Sequence, residues 1–319
     1  MSGPLVSVII PAYNGQRFLQ ACIDSALAQT YRPMEIIAVN DGSTDGTAAL
    51  LSGYGDRIRV FHQDNAGQAA ARNLGILKST GEWIAFLDQD DLWDEEKTEV
   101  QMSHASEHDT VIYTNARIID EAGRVTRQPM LSADQIATRL LDLIVSHYIS
   151  PLITIVRRRA VNDVGGFDPA NRFGSEDYQL WLRLAAKGYS FRFVDKVLAS
   201  CRIHGTNMSL NRSNWALGDM HALVQTRREY PQAFGRPEIQ AFHRKISEIY
   251  YNVGWHQYNR GDYQAAARNF WRAVFHNPRG VSSWAHAVAT ILPFRGWVLP
   301  RLRALIVGKS VDQAQQGAE

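Results

Sequence analysis

Residues 5–15 read LVSVIIPAYNG, a nearly continuous apolar run that ends in the turn pair Asn14-Gly15. A run of this kind predicts a strand buried on both faces of a sheet. A second apolar run, EIIAV at residues 35–39, ends in the turn cluster NDGSTDG at residues 40–46. The residues between them keep a helical apolar period, at Phe18, Leu19, Cys22, Ile23, Ala26 and Leu27. The succession predicts a βαβ unit.

The same rhythm continues along the chain. We expect a strand at residues 58–62, a helix at 69–78 and a strand at 83–87. The predicted fold class is therefore α/β, with a mixed, mainly parallel sheet of Rossmann-like type flanked by helices. Ligands of such sheets bind beyond the carboxyl ends of the strands.

The chain after Asp94 is less regular. We expect a helix near residues 97–106 and strands near 111–115 and 152–157. Ser175 is a predicted N-cap for a helix over 176–187, and two short strands follow at 191–194 and 197–203. The first domain is predicted to span residues 1–212.

The rest of the chain is predicted to be helical. Residues 213–282 contain one unit that resembles a tetratricopeptide repeat, with small and aromatic residues at that repeat's spacing, namely Gly254, Gly261, Asp262, Tyr263, Ala266, Phe270, Ala273 and Pro278. One unit cannot form a solenoid. We expect a helical hairpin packed on the first domain, and the alternative is a peptide-binding arm.

Residues 283–319 are predicted to form an amphipathic tail of basic and apolar residues with a disordered end. Tryptophans and basic residues flank a short apolar face at 284–309, and Pro293 and Pro300 divide it into two brief helices. This composition is typical of a segment lying in a membrane interface. The alternative is that the face packs on the first domain.

Composition excludes several classes of protein. The formal charge of +2 gives no overall attraction to nucleic acid. Two cysteines, Cys22 and Cys201, cannot build a disulfide framework or a four-thiolate metal site, which fits a reducing cytoplasm. There is no basic leader and no apolar stretch of about 18 residues, so we expect a cytoplasmic protein that at most touches the inner face of the membrane.

The strongest chemical signal is FLDQDD at residues 86–91, in which Asp88, Asp90 and Asp91 follow an apolar strand. Like charges this close repel one another unless a cation lies between them. Carboxylate oxygens suit Mg²⁺ or Mn²⁺, and such an ion can hold a diphosphate as a leaving group. The other interpretation is a solvated acidic loop, and this run alone does not decide between the two.

Four further segments appear in order around it: VSVIIPAYN at 6–14, EIIAVNDGSTD at 35–45, NAGQAAARNLG at 65–75 and GSEDYQLWLRL at 174–184. With these motifs the sequence resembles the family 2 glycosyltransferases, of the GT-A fold, over about residues 4–210. The variation is mild, such as Asn40 where an aspartate is common. The resemblance implies an inverting transferase that moves a sugar from a nucleotide-diphosphate-sugar to a saccharide or lipid-linked acceptor, in surface polysaccharide or glycolipid synthesis.

The resemblance also implies roles for individual residues. Pro11 and Tyr13 would line the nucleotide pocket, and Asp41 would accept a hydrogen bond from the base. Arg72 would face the diphosphate, for which its forked donors are suited, and Asp88 would contact the donor's ribose or sugar. Structural roles in packing, turns and ion pairs are the alternatives.

The resemblance also implies which residues hold the metal and which one acts as the general base. Asp90 and His204 would hold Mn²⁺ or Mg²⁺, with Asp91 as a helper beside them. Asp177 would be the general base, next to Glu176 at a helix N-terminus where negative charge is favoured in any case. Asp168 is a weaker candidate for contact with the sugar acceptor.

Other functions lack their motifs. No G-x-G-x-x-G follows the first strand, as an NAD-dependent oxidoreductase or epimerase would require, and no phosphate-binding G-x-x-x-x-G-K-[ST] loop is present. A nucleotidyltransferase would need a loop rich in glycine and lysine at residues 11–14. A degenerate, non-enzymatic scaffold would have lost a carboxylate, whereas Asp88, Asp90 and Asp177 are all retained. Neither the nucleotide, the sugar nor the acceptor can be identified from these motifs.

Overall fold

The computed structural model describes residues 3–146, 149–171, 174–205, 207 and 212–280, together with Trp284 and Ala287. Except for those two residues, the predicted tail at 283–319 lies outside the described residues. Within them, nine strands form one sheet. They are β1 (Val6–Ala12), β2 (Met34–Asp41), β3 (Arg59–Gln63), β4 (Trp83–Phe86), β5 (Leu92–Trp93), β6 (Val111–Ile119), β7 (Val125–Arg127), β8 (Thr154–Arg157) and β9 (Phe191–Arg202).

The sheet is mixed, with order β3-β2-β1-β4-β8-β6-β9-β5 and β7 beside β6. Its first four strands are parallel to one another, which confirms the predicted βαβ succession. β8 runs antiparallel to both β4 and β6, and β6 is parallel to β9. The α/β fold predicted from the sequence is confirmed.

β1 is the centre of the parallel half. Its residues are buried throughout, and Val6 to Ile9 pair with β2 on one side and β4 on the other. A strand paired on both edges and covered on both faces has no exposed side, which is why its sequence is apolar without alternation.

Ten helices occur among the described residues. They are α1 (Leu19–Leu27), α2 (Thr47–Ser52), α3 (Gln68–Lys78), α4 (Lys97–Ser103), α5 (Leu140–Val145), α6 (Arg158–Asp163), α7 (Glu176–Ala186), α8 (Arg212–Glu229), α9 (Arg236–Asn259) and α10 (Tyr263–His276). α3 crosses β1 so closely that a Cβ on Gly75 would lie 2.4 Å from Cγ2 of Ile9. Glycine at this position brings the helix, and the site residues on it, down onto the central strand.

One predicted pair of elements is a single strand. The short strands expected at 191–194 and 197–203 are one continuous strand, β9, because its register against β6 shifts between Tyr113 and Asn115. The expected break between the two strands falls at the exposed pair Asp195 and Lys196, whereas an irregularity in the ladder lets the strand continue across it.

The chain divides into two compact units, Met1–Phe234 and Gly235–Glu319. In the first, α8 packs against α7. In the second, α9 and α10 pack together around Tyr258, Ala266 and Phe270. A Cβ on Gly254 would lie 3.1 Å from the Phe270 ring, so a small residue there allows the close helix contact. The domain limits predicted at 212 and 282, and the likeness to a tetratricopeptide unit, stay predictions.

None of the helices in the described part of the chain has both the length and the hydropathy that a bilayer crossing requires.

A lysine is fully buried beneath the sheet. Lys97, on α4, donates from Nζ to Oε1 of Gln101 at 2.8 Å, and its ammonium lies 4.1 Å from the centre of the Trp93 ring. Burial lowers the pKa of Lys97 well below its ordinary value. The folded chain therefore holds this proton less tightly than the unfolded chain does.

We predict a pH-dependent difference in stability between the wild type and Lys97→Met. The unfolded chain keeps the proton up to about pH 10.4 and the folded chain loses it at a lower pH, so this lysine makes stability rise with pH between the two values. We expect urea unfolding to show that, between about pH 7 and pH 9.5, the free energy of unfolding of the wild type rises relative to that of the variant. The rise should be up to ~1.4 kcal/mol per pH unit.

Lys196→Met is the matched control because Lys196 is exposed. Its stability should track that of the wild type across the same pH range. Parallel curves for the wild type and Lys97→Met would show that Lys97 stays charged in the folded chain.

Candidate active site

The carboxyl ends of three parallel strands bring the predicted residues to one edge of the sheet. β1 ends just before Tyr13, β2 ends at Asp41, and β4 ends two residues before Asp88. This edge is where ligands bind in open α/β sheets. The candidate site lies at this edge of the sheet.

Arg72 links two of the carboxylates. Its guanidinium is 2% exposed and donates to Asp88 Oδ1 and to Glu176 Oε1, both at 2.6 Å. Gln68, one turn earlier on α3, donates to the same Asp88 oxygen at 2.9 Å. Burial by itself lowers the pKa of Arg72, but the charges of Asp88, Glu176 and Asp177 outweigh it and raise this pKa. Arg72 is a fixed cation that joins the end of β4 to the start of α7.

The loop before α7 contacts this arginine through the ring of Phe167. The Arg72 guanidinium carbon lies 5.2 Å from the centre of the Phe167 ring, and Phe167 in turn meets Phe86 edge-on at 5.1 Å. Asn73 holds the loop through both backbone groups of Phe167, at 2.8 and 2.9 Å. Gly166 has φ of +70°, and a Cβ there would lie 2.7 Å from Oδ1 of Asn73. The Gly165-Gly166 pair thus lets the loop approach α3.

Asp90 and His204 are in direct contact. Nε2 of His204 lies 2.8 Å from Oδ2 of Asp90, and Nδ2 of Asn207 donates to the same oxygen at 3.2 Å. Asn207 also accepts a hydrogen bond from the backbone N–H of His204, which closes the loop after β9 around the carboxylate. Burial and the charge of Asp88 raise the pKa of Asp90, although His204 opposes the change.

Asp91 is turned away from this pair and anchors β9. It is buried, and its Oδ1 accepts from the backbone N–H of Arg202 at 2.8 Å. The Arg202 side chain donates to the Asp90 carbonyl at 2.9 Å. Burial and the charges of Asp90 and Asp88 raise the pKa of Asp91 well above its ordinary value. Asp91 therefore positions the loop that carries His204.

An aromatic contact orients the histidine. The Phe18 and His204 rings have centroids 5.2 Å apart, and the guanidinium groups of Arg17 and Arg202 lie 4.7 and 4.8 Å from the Phe18 ring centre. Arg17 pairs with Glu121, in the turn between β6 and β7. Phe18 thus ties the His204 loop to the start of α1.

Asp41 holds a loop rather than standing open. Its carboxylate accepts from Gln63 Nε2 at 2.7 Å and from the backbone N–H groups of Ala66 and Gly67 at 2.8 and 2.9 Å. A carboxylate has about four acceptor positions. These three bonds occupy most of that capacity, so a bond to a nucleotide base has little room beyond the remaining lone pair. The base contact predicted for Asp41 stays a prediction.

Tyr13 and Pro11 differ in exposure. The Tyr13 side chain is 46% exposed, as a base-stacking ring requires. Its backbone N–H and carbonyl are held by the Gln89 side chain at 2.9 and 3.0 Å, which ties the end of β1 to the acidic loop. Pro11 is buried in β1, and it follows Ile9, which makes the last pair between β1 and β4.

The two carboxylates at the start of α7 have different surroundings. Glu176 is 7% exposed and bound to Arg72. Asp177 is half-buried, and its Oδ1 accepts from the backbone N–H of Tyr178 at 2.7 Å. Asp168 is engaged elsewhere, accepting from the Ala170 N–H at 2.9 Å and from Gln179 at 3.1 Å. Burial opposes these bonds, but they lower the pKa of Asp168 together with the nearby Arg183 charge.

A cleft of about 240 Å³ opens beside this network. Its lining residues come from the loop and first turn of α3 and from the segment that leads into α7, namely Asn65, Ala66, Gly67, Gln68, Ala69, Pro169, Asn171, Gly174 and Glu176. The cleft shares Glu176 with the Arg72 ion pairs.

The residues at Asp90 fit a divalent cation. No cluster of three or more His, Cys, Asp and Glu side chains suited to a metal occurs among the described residues. Asp90 and His204 nevertheless offer one carboxylate oxygen and one imidazole nitrogen 2.8 Å apart, with surplus negative charge beside them. Mg²⁺ and Mn²⁺ are commonly held by one or two protein ligands together with substrate phosphates and water.

Several residues in the site were not singled out from the sequence. Gln68 lies inside the quoted segment NAGQAAARNLG and Asn207 lies three residues after His204, so their polar side chains were an available signal. Gln89 sits between two aspartates and gave a similar signal. Phe18 gave none, because an apolar residue at the start of a helix has the pattern of a core residue.

Comparison with known proteins gives the family. The family model described as "Glycosyl transferase family 2" matches residues 7–165, and "Glycosyl transferase family group 2" matches residues 150–299. An uncharacterized glycosyltransferase of Rickettsia typhi is 35% identical over 219 residues, which cover 66% of this chain and 68% of that protein. A putative teichuronic acid biosynthesis glycosyltransferase of Bacillus subtilis is 29% identical over 66% of this chain and 83% of that protein.

Solved structures share the fold. The Staphylococcus aureus TarS fragment 1–349 has a TM-score of 0.66 at 17% identity, covering 97% of this chain and 91% of that one. Mannosyltransferase PcManGT of Pyrobaculum calidifontis, in complex with GDP-Man and Mn²⁺, has a TM-score of 0.59 at 19% identity, covering 97% and 86%.

The chain spans only part of several curated relatives. It covers 30% of the length of a Rickettsia bellii glycosyltransferase that is 36% identical over 63% of this chain, against the 68% of the Rickettsia typhi protein. The matched region contains the whole parallel half of the sheet and the acidic loop after β4. The chain belongs to glycosyl transferase family 2.

Proposed function

We propose that this protein is an inverting glycosyltransferase that moves a sugar from a nucleotide-diphosphate-sugar to an acceptor hydroxyl. The observation that carries the proposal is the pairing of Asp90 with His204 beside the Asp88–Arg72–Glu176 ion network, at the ligand-binding edge of the sheet. The pair offers ligands for a cation, and the ion network forms a rigid frame beside the adjacent cleft. Family membership supports the same reaction class.

The reaction is a direct displacement. A carboxylate takes the proton from the acceptor hydroxyl, the oxygen forms a bond to the anomeric carbon, and the bond from that carbon to the diphosphate oxygen breaks. The nucleoside diphosphate leaves with the electron pair. A divalent cation, when bound, neutralises the charge that develops on this leaving group.

We assign the base to Asp177 rather than to Glu176. A base must reach the acceptor hydroxyl and take up its proton. Glu176 is buried and its carboxylate is held by the Arg72 guanidinium, whereas Asp177 is half-buried on the same helix turn. Glu176 then serves to place α7.

Arg72 is proposed to act mainly by position. It is buried, and both of its terminal nitrogens are used by carboxylates, so it presents little to a diphosphate in this arrangement. Through Asp88 it sets the acidic loop, and through Glu176 it sets the turn that bears Asp177. This differs from the direct phosphate contact expected from the family resemblance.

Donor and acceptor are proposed by class. Structural neighbours are in complex with UDP-GlcNAc in one case and with GDP-Man and Mn²⁺ in another, which supports a nucleotide-sugar donor and Mn²⁺ or Mg²⁺ as cofactor. The relative assigned to teichuronic acid synthesis supports a saccharide or lipid-linked acceptor of the cell envelope. We place the protein in the cytoplasm, with peripheral contact at the inner face of the membrane.

We predict that Mn²⁺ stabilises the folded protein through Asp90. A ligand that binds only the folded state raises its melting temperature. Mn²⁺ with a nucleoside diphosphate should raise Tm in the wild type and leave Asp90→Ala unchanged, while the exposed-site control Asp56→Ala should respond like the wild type. The shift should shrink as pH falls, because the raised pKa of Asp90 lets protons compete with the metal.

Turnover gives the second measurement for the metal. Release of nucleoside diphosphate from a panel of nucleotide-sugars should stop in excess EDTA and resume with Mn²⁺ or Mg²⁺. Turnover that persists in EDTA, or in Asp90→Ala, contradicts the metal role.

We predict that Asp177→Asn slows transfer at least ~10²-fold, because general-base catalysis contributes about that much. Donor affinity, measured by calorimetry, should stay within about twofold, since a base acts on the acceptor and not on the nucleotide. Glu176→Gln is the comparison. If it is the inactive variant and Asp177→Asn keeps its rate, the base has been assigned to the wrong carboxylate.

We predict that Arg72→Met lowers the free energy of unfolding by about 3–5 kcal/mol, because it leaves the buried Glu176 carboxylate and the partly buried Asp88 carboxylate without their cation. Urea unfolding measures the loss. Adding Glu176→Gln to the variant should recover part of it, since one uncompensated charge is then removed. A loss below about 1 kcal/mol would mean that the two ion pairs behave like exposed ones.

A further inference from the structure

The outward face of α10 carries large aromatic side chains. Phe275 is 80% exposed and Trp271, one turn earlier, is 41% exposed. Arg268 and Arg272 are exposed on the same side of the helix, at the spacings of three, four and seven residues that place side chains on one face. The helix packs within its own unit through the opposite face. That packing does not explain why a phenylalanine and a tryptophan are exposed on this one.

The hairpin is formed mainly through another face of α10, although the Arg272 guanidinium lies 5.5 Å from the centre of the Tyr250 ring of α9. α10 packs against α9 through Ala266, Phe270 and Val274, which are buried in one cluster with Tyr258. Trp271 and Phe275 are not members of that cluster. Trp271 instead meets Trp284 edge-on, with ring centroids 5.5 Å apart, and Trp284 is itself 41% exposed. Three aromatic side chains therefore gather on the outside of the unit.

Charge separates the two units of the chain. Residues 235–319 hold eleven Lys and Arg against five Asp and Glu, a net charge of +6, whereas residues 1–234 hold 23 against 27, a net charge of −4. α10 has no acidic residue, and Arg279 follows soon after its end. The unit that exposes the aromatic side chains is thus also the basic one.

We infer that the outward face of α10, formed by Arg268, Trp271, Arg272 and Phe275, docks on an anionic lipid bilayer. Aromatic rings enter the boundary between headgroups and acyl chains, and arginines bind lipid phosphates beside them. Net positive charge spread over the whole unit fits a surface of uniform negative charge, whereas a protein partner is matched by a local pattern. The face adjoins residues 284–309 through the contact between Trp271 and Trp284, and membrane contact for that segment is predicted from composition alone.

Co-sedimentation of the full-length chain with vesicles tests the inference. With equimolar phosphatidylglycerol and phosphatidylcholine at low salt, we expect the wild type to pellet, and with phosphatidylcholine alone we expect it to stay in the supernatant. Arg268→Gln with Arg272→Gln should weaken binding about 30-fold, since each basic residue near the surface contributes about 1 kcal/mol, a factor of about 5. Trp271→Gln with Phe275→Gln should weaken it at least ~10-fold at any salt concentration.

Matched controls come from the first unit. Leu77→Gln removes an apolar side chain that is 76% exposed, and Arg124→Gln with Arg139→Gln removes two exposed arginines. Both should bind vesicles like the wild type. All variants contain residues 284–309. Because Trp271 contacts Trp284, the aromatic variant also alters that segment, whereas the arginine variant leaves this contact in place and is the cleaner comparison.

Three results would overturn the inference. One is a wild type that ignores anionic vesicles, and another is α10 variants that bind as tightly as the controls. The third is a change in oligomeric state on sedimentation velocity without any change in vesicle binding, which would make the face a contact between copies of the chain. An unaltered melting temperature checks that the variants are folded, and because it needs no turnover the test stays independent of the proposed reaction.

Discussion

The structure of the site depends on the crowding of three carboxylates within four residues at the end of β4. Asp88, Asp90 and Asp91 cannot lie together at low cost unless each receives positive charge or hydrogen-bond donors. Each partner comes from a different part of the chain: Arg72 of α3 for Asp88, the loop after β9 for Asp90, and the β9 backbone for Asp91. Neutralising this loop therefore requires most of the first unit to be assembled, so that the fold and the site share one set of interactions.

The carboxylates of the site differ in the side chain to which each is bound. This difference supports a structural role for some of them and a chemical role for others. Asp88 and Glu176 are bound to a guanidinium, a cation at every accessible pH, and such a pair is fixed. Asp90 is paired with an imidazole, which is a far weaker and exchangeable source of charge. A ligand of higher charge can take over that contact without breaking the frame. The same distinction supports placing chemistry at Asp90 and Asp177 and a positioning role at Arg72.

The sequence predicted the parts of this arrangement that depend on local pattern. β1, β2 and β4 are short apolar runs ending in turn residues, so their order and the position of the acidic loop follow from periodicity alone. What could not be predicted depends on loops that meet only in the folded chain. The three bonds that occupy Asp41, the ring of Phe18 against His204, and the Gln89 contact with Tyr13 join residues 22 to 186 positions apart, and no local pattern encodes such distances. The continuous β9 was also missed, because the local pattern gave two short strands and pairing with β6 joins them into one.

The separation of charge supports the divalent cation proposed for the first unit. Residues 1–234 carry a net charge of −4, and a nucleotide diphosphate is also negative, so the unit as a whole repels the donor proposed for it. Arg72 cannot correct this, because it is already neutralised by two carboxylates. The proposal is that additional positive charge enters with the ligand, and the only pairing of a carboxylate with an imidazole in the acidic loop, among the described residues, is Asp90 with His204. A divalent ion at this pair would change the local sign of charge where the proposed donor binds. The basic residues of the second unit cannot serve the same purpose if they face anionic lipid, which leaves each unit suited to a different negatively charged partner.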